Sequence, residues 1–347
     1  GDTPLSLNTR NGYSTKKVKS SAGEIELKIP RDRQGTFEPY VVKKYEKNIS
    51  NIEQQIISMY AKGMTTRDIS GHIKEIYGFG LSETMISNIT NKIIPTIEEW
   101  QNRPLERVYP IVFLDAIHYN VRENGQIVKK AVYIALGYNM QGNKEILGMW
   151  IGENESSKYW LMVLNQLRDR GIEDILIIST DNLAGFSQAI NAVYPKAQIQ
   201  KCIIHQIRNS TKYVSYKDIK ELMKDLKDVY KAATEEVATT KLEEFEDKWG
   251  KKYPMCVSSW KNNWAELSTY FKYPQEMRRL IYTTNAMENF NRQLRKVTKS
   301  KTIYPNDYSL MKSLYLAMAD ASSKWKGRIR NWDMVIAQLS IYFEGRI

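Results

Sequence analysis

The chain has 347 residues, enough for two or three domains, and its 42% of hydrophobic residues fits a globular protein better than a disordered one. The 51 basic residues outnumber the 39 acidic ones, and the net charge of +12 indicates a polyanionic partner, although a solvated basic protein would look the same. The two cysteines exclude a disulfide scaffold. No apolar run approaches the roughly 20 residues of a membrane-spanning helix, and no apolar signal segment suggests secretion.

The first 45 residues are predicted to form a basic arm. Apolar and polar residues alternate on both sides of Ala22-Gly23, which predicts a short hairpin. Residues 31–33 follow a proline and are predicted to lie in a loop.

Residues 46–100 carry three apolar stripes at helical spacing, separated first by Gly63 and then by Gly78 and Gly80. Three short helices with such turns are typical of a helix-turn-helix DNA-binding domain, although a plain three-helix bundle gives the same pattern. In a helix-turn-helix domain the last helix enters the major groove. The predicted DNA contacts of this domain are Arg67, Ser82, Thr84, Ser87 and Asn88.

Beyond residue 101 the pattern predicts the order β-β-β-α-β-α-β, a mixed sheet with helices packed against it. The first of these strands ends at Asp115 and is followed by a turn over residues 119–125. The fourth strand ends at Asp181, and the last strand covers residues 197–205.

Two acids therefore close apolar strands, residues 111–114 before Asp115 and residues 175–178 before Asp181. A buried carboxylate costs desolvation energy unless a positive group is near, and if the strands are parallel neighbours both acids reach one crevice. Carboxylates that share a crevice repel each other unless divalent cations lie between them, and oxygen ligands suit Mg²⁺ or Mn²⁺. Either acid alone is also explained as a strand-end or helix-capping residue.

A longer run, Tyr282–Lys296, resembles the glutamate helix of Mutator-like bacterial insertion-sequence transposases. Further segments resemble that family in the same order along the chain. These segments are Arg10–Tyr13, Pro30–Gly35, Phe113–Ala116, Ser179–Phe186 and Gln200–His205.

The resemblance implies an α/β fold of the ribonuclease-H-like type, interrupted by an all-helical insertion before the glutamate helix. It also implies an Asp-Asp-Glu active site in which Asp115, Asp181 and Glu288 are catalytic residues and ligands of two Mg²⁺ or Mn²⁺ ions. Such an enzyme cuts at terminal inverted repeats and then transfers the freed 3′-hydroxyl to a second DNA phosphate.

The corresponding domain division is an arm at 1–45, a helix-turn-helix domain at 46–100, and a catalytic domain at 101–207 and 283–347 with a helical insertion at 208–282. The expected partner is double-stranded DNA, both terminal inverted repeats and target. The protein is expected to act as a homodimer in the bacterial cytoplasm, associated with the nucleoid and not with a membrane.

Several site residues have simpler explanations. Asn285 and Glu288 have the spacing of a capping box, in which the acid reaches back to the helix start. Cys202 and His205 fall short of the four ligands of a structural zinc site, and the resemblance favours a role in supporting the active site or in positioning DNA. His118, three residues after the first aspartate, is a candidate for the same role or a surface histidine.

Basic residues that follow Glu288 on the same helix could hold DNA phosphates, or could form a solvated face. They are Arg292, Arg295, Lys296 and Lys299. Two rival functions remain beside the transposase: a nuclease of the same fold that does not join DNA, and a non-catalytic helix-turn-helix regulator.

Overall fold

The computed structural model describes residues 10–20, 23–34, 50–77, 79–282 and 284–347. They pack as two compact units. The first contains the described residues up to Trp100 with Val121–Gly125 and Gln293–Asp320, and the second contains Gln101–Asn120, Gln126–Arg292 and Ala321–Ile347. The four-domain division drawn from the sequence stays a prediction, but Gln293–Asp320 packs with the first unit.

The first unit begins with the predicted hairpin. Strands β1 (Arg10–Ser20) and β2 (Gly23–Asp32) are antiparallel, with Lys16 opposite Leu27. Because β2 continues through Arg31 and Asp32, the loop predicted there is wrong for these two residues. Ala22, in the predicted turn, lies outside the described residues.

The three predicted helices follow, and a fourth helix comes after them. These are α1 (Ser50–Ala61), α2 (Thr66–Tyr77), α3 (Glu83–Asn91) and α4 (Ile94–Asn102). Most isoleucines of the predicted stripes, among them Ile56, Ile73 and Ile86, are buried with Leu27 of the hairpin in one core, whereas Ile57 is only partly buried and Ile76 is 53% exposed. Gly63 has a φ of +94°, and a Cβ there would lie 2.3 Å from the carbonyl oxygen of Val297, so this turn requires glycine.

The second unit is built on a five-stranded mixed sheet whose element order is the predicted one. Its strands are β3 (Val108–Glu123), β4 (Gln126–Tyr138), β5 (Lys144–Gly152), β6 (Asp174–Thr180) and β7 (Gln198–Lys201). Their order across the sheet is β5-β4-β3-β6-β7. Strand β6 is parallel to both β3 and β7, whereas β4 and β5 are antiparallel. Helices α5 (Ser157–Asp169) and α6 (Phe186–Val193) cover the sheet, and their Trp160 and Phe186 stack in its core.

Two predicted boundaries are wrong. Strand β3 runs on through Glu123, and the turn is only Asn124-Gly125, both with positive φ, which is typical of a tight hairpin. Strand β7 ends at Lys201, and Cys202 is the N-cap of helix α7 (Ile203–Thr211), so the predicted last strand is half helix.

The stretch predicted as a helical insertion is helical. It contains α8 (Tyr216–Tyr230), α9 (Glu235–Trp249), α10 (Pro254–Leu267), a 3₁₀ turn (Thr269–Lys272) and α11 (Gln275–Ile281). These elements share an apolar core with α7, in which Leu222, Phe245 and Trp260 are buried.

Three helices end the chain: α12 (Asn285–Thr298), α13 (Asp307–Ser323) and α14 (Trp332–Tyr342). Within the described part of the chain, no helix combines the length and the apolar character needed to cross a bilayer.

Candidate active site

The two aspartates lie side by side where the parallel ladder between β3 and β6 ends. Leu114 of β3 and Thr180 of β6 are partners in the parallel ladder, so the residues that follow them, Asp115 and Asp181, extend from neighbouring strands about 4.8 Å apart. The condition under which both acids reach one crevice, that these strands are parallel neighbours, is therefore met. Asp115 lies within β3, whereas Asp181 follows the last residue of β6.

Asp115 is a buried acid whose carboxylate accepts hydrogen bonds from two donors. Its carboxylate accepts hydrogen bonds from Asn291 Nδ2 at 2.5 Å and from the Ala116 amide at 2.9 Å, and only 8% of the residue is exposed. Burial and the charge of Asp181 raise the pKa of Asp115 to about 7, although His205 and both hydrogen bonds act in the opposite direction. The neighbouring positive charge and hydrogen bonds therefore do not fully offset the cost of ionising Asp115 beside Asp181.

Asp181 lies against His205 and Cys202. Its carboxylate forms an ion pair with His205 Nδ1, and the ligand atoms of the three residues lie within 4.8 Å of one another. Burial alone would lower the pKa of His205, but its hydrogen bonds to Asp181 and Cys202 raise it to about 11. Cys202 is also tied to the strand, because its amide donates to the carbonyl of Thr180 at 2.8 Å.

Helix α12 is hydrogen-bonded to Asp115 directly and is linked to the neighbourhood of Asp181 through Cys202. At its start the side chain of Thr284 hydrogen-bonds Cys202, with 3.3 Å between Oγ1 and Sγ. Seven residues later Asn291 binds Asp115. Glu288 lies between them at i+4 from Thr284 and i−3 from Asn291, so all three are on neighbouring positions of one helical face.

The carboxylate of Glu288 is bound by Arg208, with 2.7 Å between Nη2 and Oε1. Thr284 precedes the helix and its carbonyl accepts the Glu288 amide at 2.7 Å, so Glu288 is the fourth helical residue. The capping-box explanation, which needs the acid at the third position, is therefore wrong. Among the described residues, Asp115, Asp181 and Glu288 do not form a group with mutual distances within 4.8 Å.

The other predicted site residues fall into two groups. His118 is exposed and lies three positions beyond Asp115 in the same strand, hence on the opposite face, so the structure does not bring them together. Cys202 and His205 do adjoin Asp181.

The predicted DNA contacts are accessible. Ser82 accepts a hydrogen bond from the Met85 amide at 3.2 Å and caps α3, and Arg67 forms an exposed ion pair with Glu83. Ser87 is partly exposed. The exposed positions are Ser82, Thr84, Asn88, Arg292, Arg295, Lys296 and Lys299.

Sequence reasoning missed three residues of this site: Thr284, Asn291 and Arg208. The first two were within the quoted motif, and their helical spacing from Glu288 would have indicated a shared face. Nothing in the sequence indicated a contact between Arg208 and Glu288, because Arg208 lies at the start of the stretch predicted as the insertion.

Paired strand-edge carboxylates and a glutamate on an adjoining helix define a candidate phosphoryl-transfer site, and known proteins similar to this chain are transposases. The chain is 44% identical over 340 residues to the transposase for insertion sequence element ISRM3 of Rhizobium meliloti (strain 1021), covering 98% of this chain and 85% of that protein. It is 33% identical over 322 residues to the transposase for insertion sequence element IS905 of Lactococcus lactis subsp. lactis (strain IL1403), covering 93% and 82%.

The model of the family described as "Transposase, Mutator family" matches residues 2–328, and the chain belongs to that family. The resemblance inferred from the motifs is thus confirmed. A solved strand transfer complex of the Drosophila P element transposase covers 85% of this chain and 86% of its own, at 11% identity and a TM-score of 0.32, too low to support an argument.

Proposed function

We propose that this transposase cleaves DNA and joins the freed 3′-ends with Asp115, Asp181 and Glu288 as its catalytic carboxylates, on a ribonuclease-H-like core. The observation that carries the proposal is a pair of hydrogen bonds between α12 and the surroundings of the aspartates. Asn291 binds Asp115, and Thr284, just before the helix, binds Cys202, which adjoins Asp181. Glu288 lies between Thr284 and Asn291 on the same helical face and would thereby be directed towards the two aspartates.

The donor set fits a hard divalent cation. Asp115 is buried beside Asp181, and burial and the charge of Asp181 raise the pKa of Asp115, an effect that a cation between the two carboxylates would offset. Oxygen ligands of this kind favour Mg²⁺ or Mn²⁺. Two such ions, when bound, supply the positive charge that activates the attacking oxygen and stabilises the leaving one.

The chain's own residues would position these ligands. Asn291 orients Asp115, and His205 holds Asp181 through Nδ1. Glu288 would join the set by exchanging its ion pair with Arg208, which is cheap because the Arg208 side chain is 58% exposed. His118 has no role in this arrangement.

DNA binding is assigned to two surfaces. Helices α1–α3 would act as a helix-turn-helix domain that reads the terminal inverted repeat, with the exposed residues at the start of α3 in the major groove. The exposed basic residues of α12 would hold phosphates beside the scissile bond. Because two element ends must be paired before joining, the active form would be a homodimer, working on double-stranded DNA at the bacterial nucleoid.

The test is Asp115→Ala, compared with Asp228→Ala as a control at an exposed acid outside the site. The substrates are duplexes carrying the inverted repeats that flank the coding region, assayed for binding, cleavage in Mg²⁺ and transfer to a target duplex. We expect Asp115→Ala to bind DNA normally and to lose cleavage, and Asp228→Ala to keep both activities.

Cleavage that survives Asp115→Ala would refute the catalytic assignment. Cleavage without strand transfer in the unmodified protein would identify the nuclease rival. Specific binding without either reaction would identify the regulator.

A further inference from the structure

The helical region of the second unit holds a cavity of about 520 Å³ that the proposed chemistry does not use. Its size lies within the range of roughly 300–1,000 Å³ typical of small-molecule sites. It opens between the end of α8, the 3₁₀ turn and α11, and Tyr282, just before α12, completes its lining.

The cavity is basic. Lys231, Arg278 and Arg279 contribute to its lining, and no carboxylate side chain does so among the described residues. The guanidinium of Arg278 is held in place, because it donates to the carbonyl oxygens of Ala233, Tyr273 and Phe271. Lys231 and Arg279 are exposed at the rim. Such a balance of charges favours an anionic ligand.

Three tyrosines form an aromatic wall. Tyr270 is almost fully buried, its hydroxyl donates to the carbonyl of Tyr230 at 2.7 Å, and its ring centroid lies 5.3 Å from that of Tyr282. Tyr230 and Tyr282 are partly exposed to the cavity. Aromatic rings next to cations are the combination that binds single-stranded nucleic acid, with bases stacked on the rings and phosphates held by the cations.

The wall is attached to the candidate active site. Ser179, two residues before Asp181, donates a hydrogen bond to the carbonyl of Ile281 at 3.4 Å. Tyr282 comes next in the chain, and Glu288 follows six residues later on α12. The chain advances at most about 3.6 Å per residue over the three steps from Tyr282 to Asn285, and about 1.5 Å per residue over the three helical steps to Glu288. The backbones of Tyr282 and Glu288 are therefore roughly 15 Å apart at most, between about four and five base-pair steps of DNA.

We propose that this cavity binds one unpaired nucleotide of the DNA substrate, with its base against Tyr282 and Tyr230 and its phosphate at Lys231 and Arg279. The proposal rests on the proposed function, since it assumes a DNA substrate at the acids. The amide of Gln275, which also lines the cavity, can hydrogen-bond a base edge. Because every base has a π face, recognition would be tolerant of sequence.

The experiment measures the affinity of the whole protein for a plain duplex and for the same duplex with a short single-stranded overhang containing 2-aminopurine. The variants are Tyr282→Ala, Tyr282→Phe and Lys231→Glu. Matched controls are Tyr216→Ala, at a tyrosine that is 93% exposed, and Lys217→Glu, at an exposed lysine of α8, the helix that Lys231 directly follows.

We expect the unmodified protein to prefer the overhang and to quench 2-aminopurine. Tyr282→Ala should reduce that preference by about 5- to 150-fold, the equivalent of the roughly 1–3 kcal/mol that stacking of one base contributes. Tyr282→Phe should retain it, and Lys231→Glu should lose part of it, while both controls behave as the unmodified protein.

The proposal is overturned if the unmodified protein does not prefer the overhang, or if Lys231→Glu and Lys217→Glu reduce the preference equally. Binding and Asp115-dependent cleavage of the plain duplex are recorded in parallel. If the preference for the overhang does not depend on the cavity residues while the plain duplex is still cleaved, only this proposal is refuted. An unmodified protein that neither binds nor cuts duplex DNA would refute the proposed function.

Discussion

Asn291→Ala tests whether α12 positions the first aspartate. Asn291 and Asp115 are 4% and 8% exposed, and the hydrogen bond between them is 2.5 Å long. A hydrogen bond to a charged group contributes about 1.5–3 kcal/mol, and water cannot easily replace a donor at this depth. If all of this hydrogen-bond energy serves to orient the carboxylate in the transition state, the cleavage rate should fall by roughly 10- to 150-fold. Each increment of about 1.4 kcal/mol added to the barrier corresponds to a tenfold lower rate.

The assay is single-turnover cleavage of the inverted-repeat duplex over a range of Mg²⁺ concentrations, with DNA binding and the helical circular dichroism signal measured alongside. Asn289→Ala is the matched control, because Asn289 is on the same helix but exposed. We expect Asn291→Ala to need more Mg²⁺ and to cleave more slowly at saturation, and to bind DNA normally.

A folded Asn291→Ala protein that cleaves within about twofold of the unmodified rate, at an unchanged Mg²⁺ requirement, would refute this reasoning. The hydrogen bond would then be a feature of packing without influence on catalysis. Slower cleavage accompanied by an equal loss in Asn289→Ala would point to a general weakening of α12 instead.

Three more predictions concern the ion pair of Arg208, two basic residues of α12 and the buried Lys312. Arg208→Ala should lower the half-saturating Mg²⁺ concentration by up to about fivefold, because the partly exposed ion pair that competes with the metal is worth roughly 0–1 kcal/mol; a higher requirement would contradict this. Replacing Arg295 and Lys296 together by alanine should weaken binding to all sequences and reduce the slope of log affinity against log salt by about 1.8, so an unchanged slope would exclude phosphate contact. Burial lowers the pKa of Lys312 to about 8, so the unfolded chain binds more protons between pH 8 and about 10.5 and stability should rise with pH there. The melting temperature of Lys312→Met relative to the unmodified protein should therefore fall across that window, and a constant difference would show that Lys312 does not titrate on unfolding.

The arrangement of the sheet was predictable because its signals are local. The strand cores of β3 and β6 are continuous apolar runs that end in acids, which is the pattern of strands buried on both faces. Parallel neighbours must then bring Asp115 and Asp181 to the same edge, and the ladder through Leu114 and Thr180 does so.

The boundaries were less predictable because short apolar runs are ambiguous. Ile203 and Ile204 extend the pattern of β7, but the chain turns into α7 at Cys202, and periodicity over so few residues does not separate strand from helix. The last residues of β3 are largely polar, so the sequence predicts a turn over residues 119–125. The structure confines the turn to Asn124-Gly125, a pair that is a strong signal for a two-residue hairpin. Arg208 could not be predicted, since its contact with Glu288 depends on tertiary structure alone.

In the proposed mechanism, the position of Glu288 on α12 would let one helix contribute both a metal ligand and DNA contacts. At 100° per residue, Glu288 lies between the side that carries buried Asn291 and the side that carries exposed Arg292 and Lys299. A carboxylate in the middle of the buried side would be sealed in the core, and one in the middle of the basic side would be neutralised by lysine and arginine. The border between the two sides keeps Glu288 partly buried, with 31% of its side chain exposed, and in the proposed site it would face both the aspartates and the cations that hold a scissile phosphate.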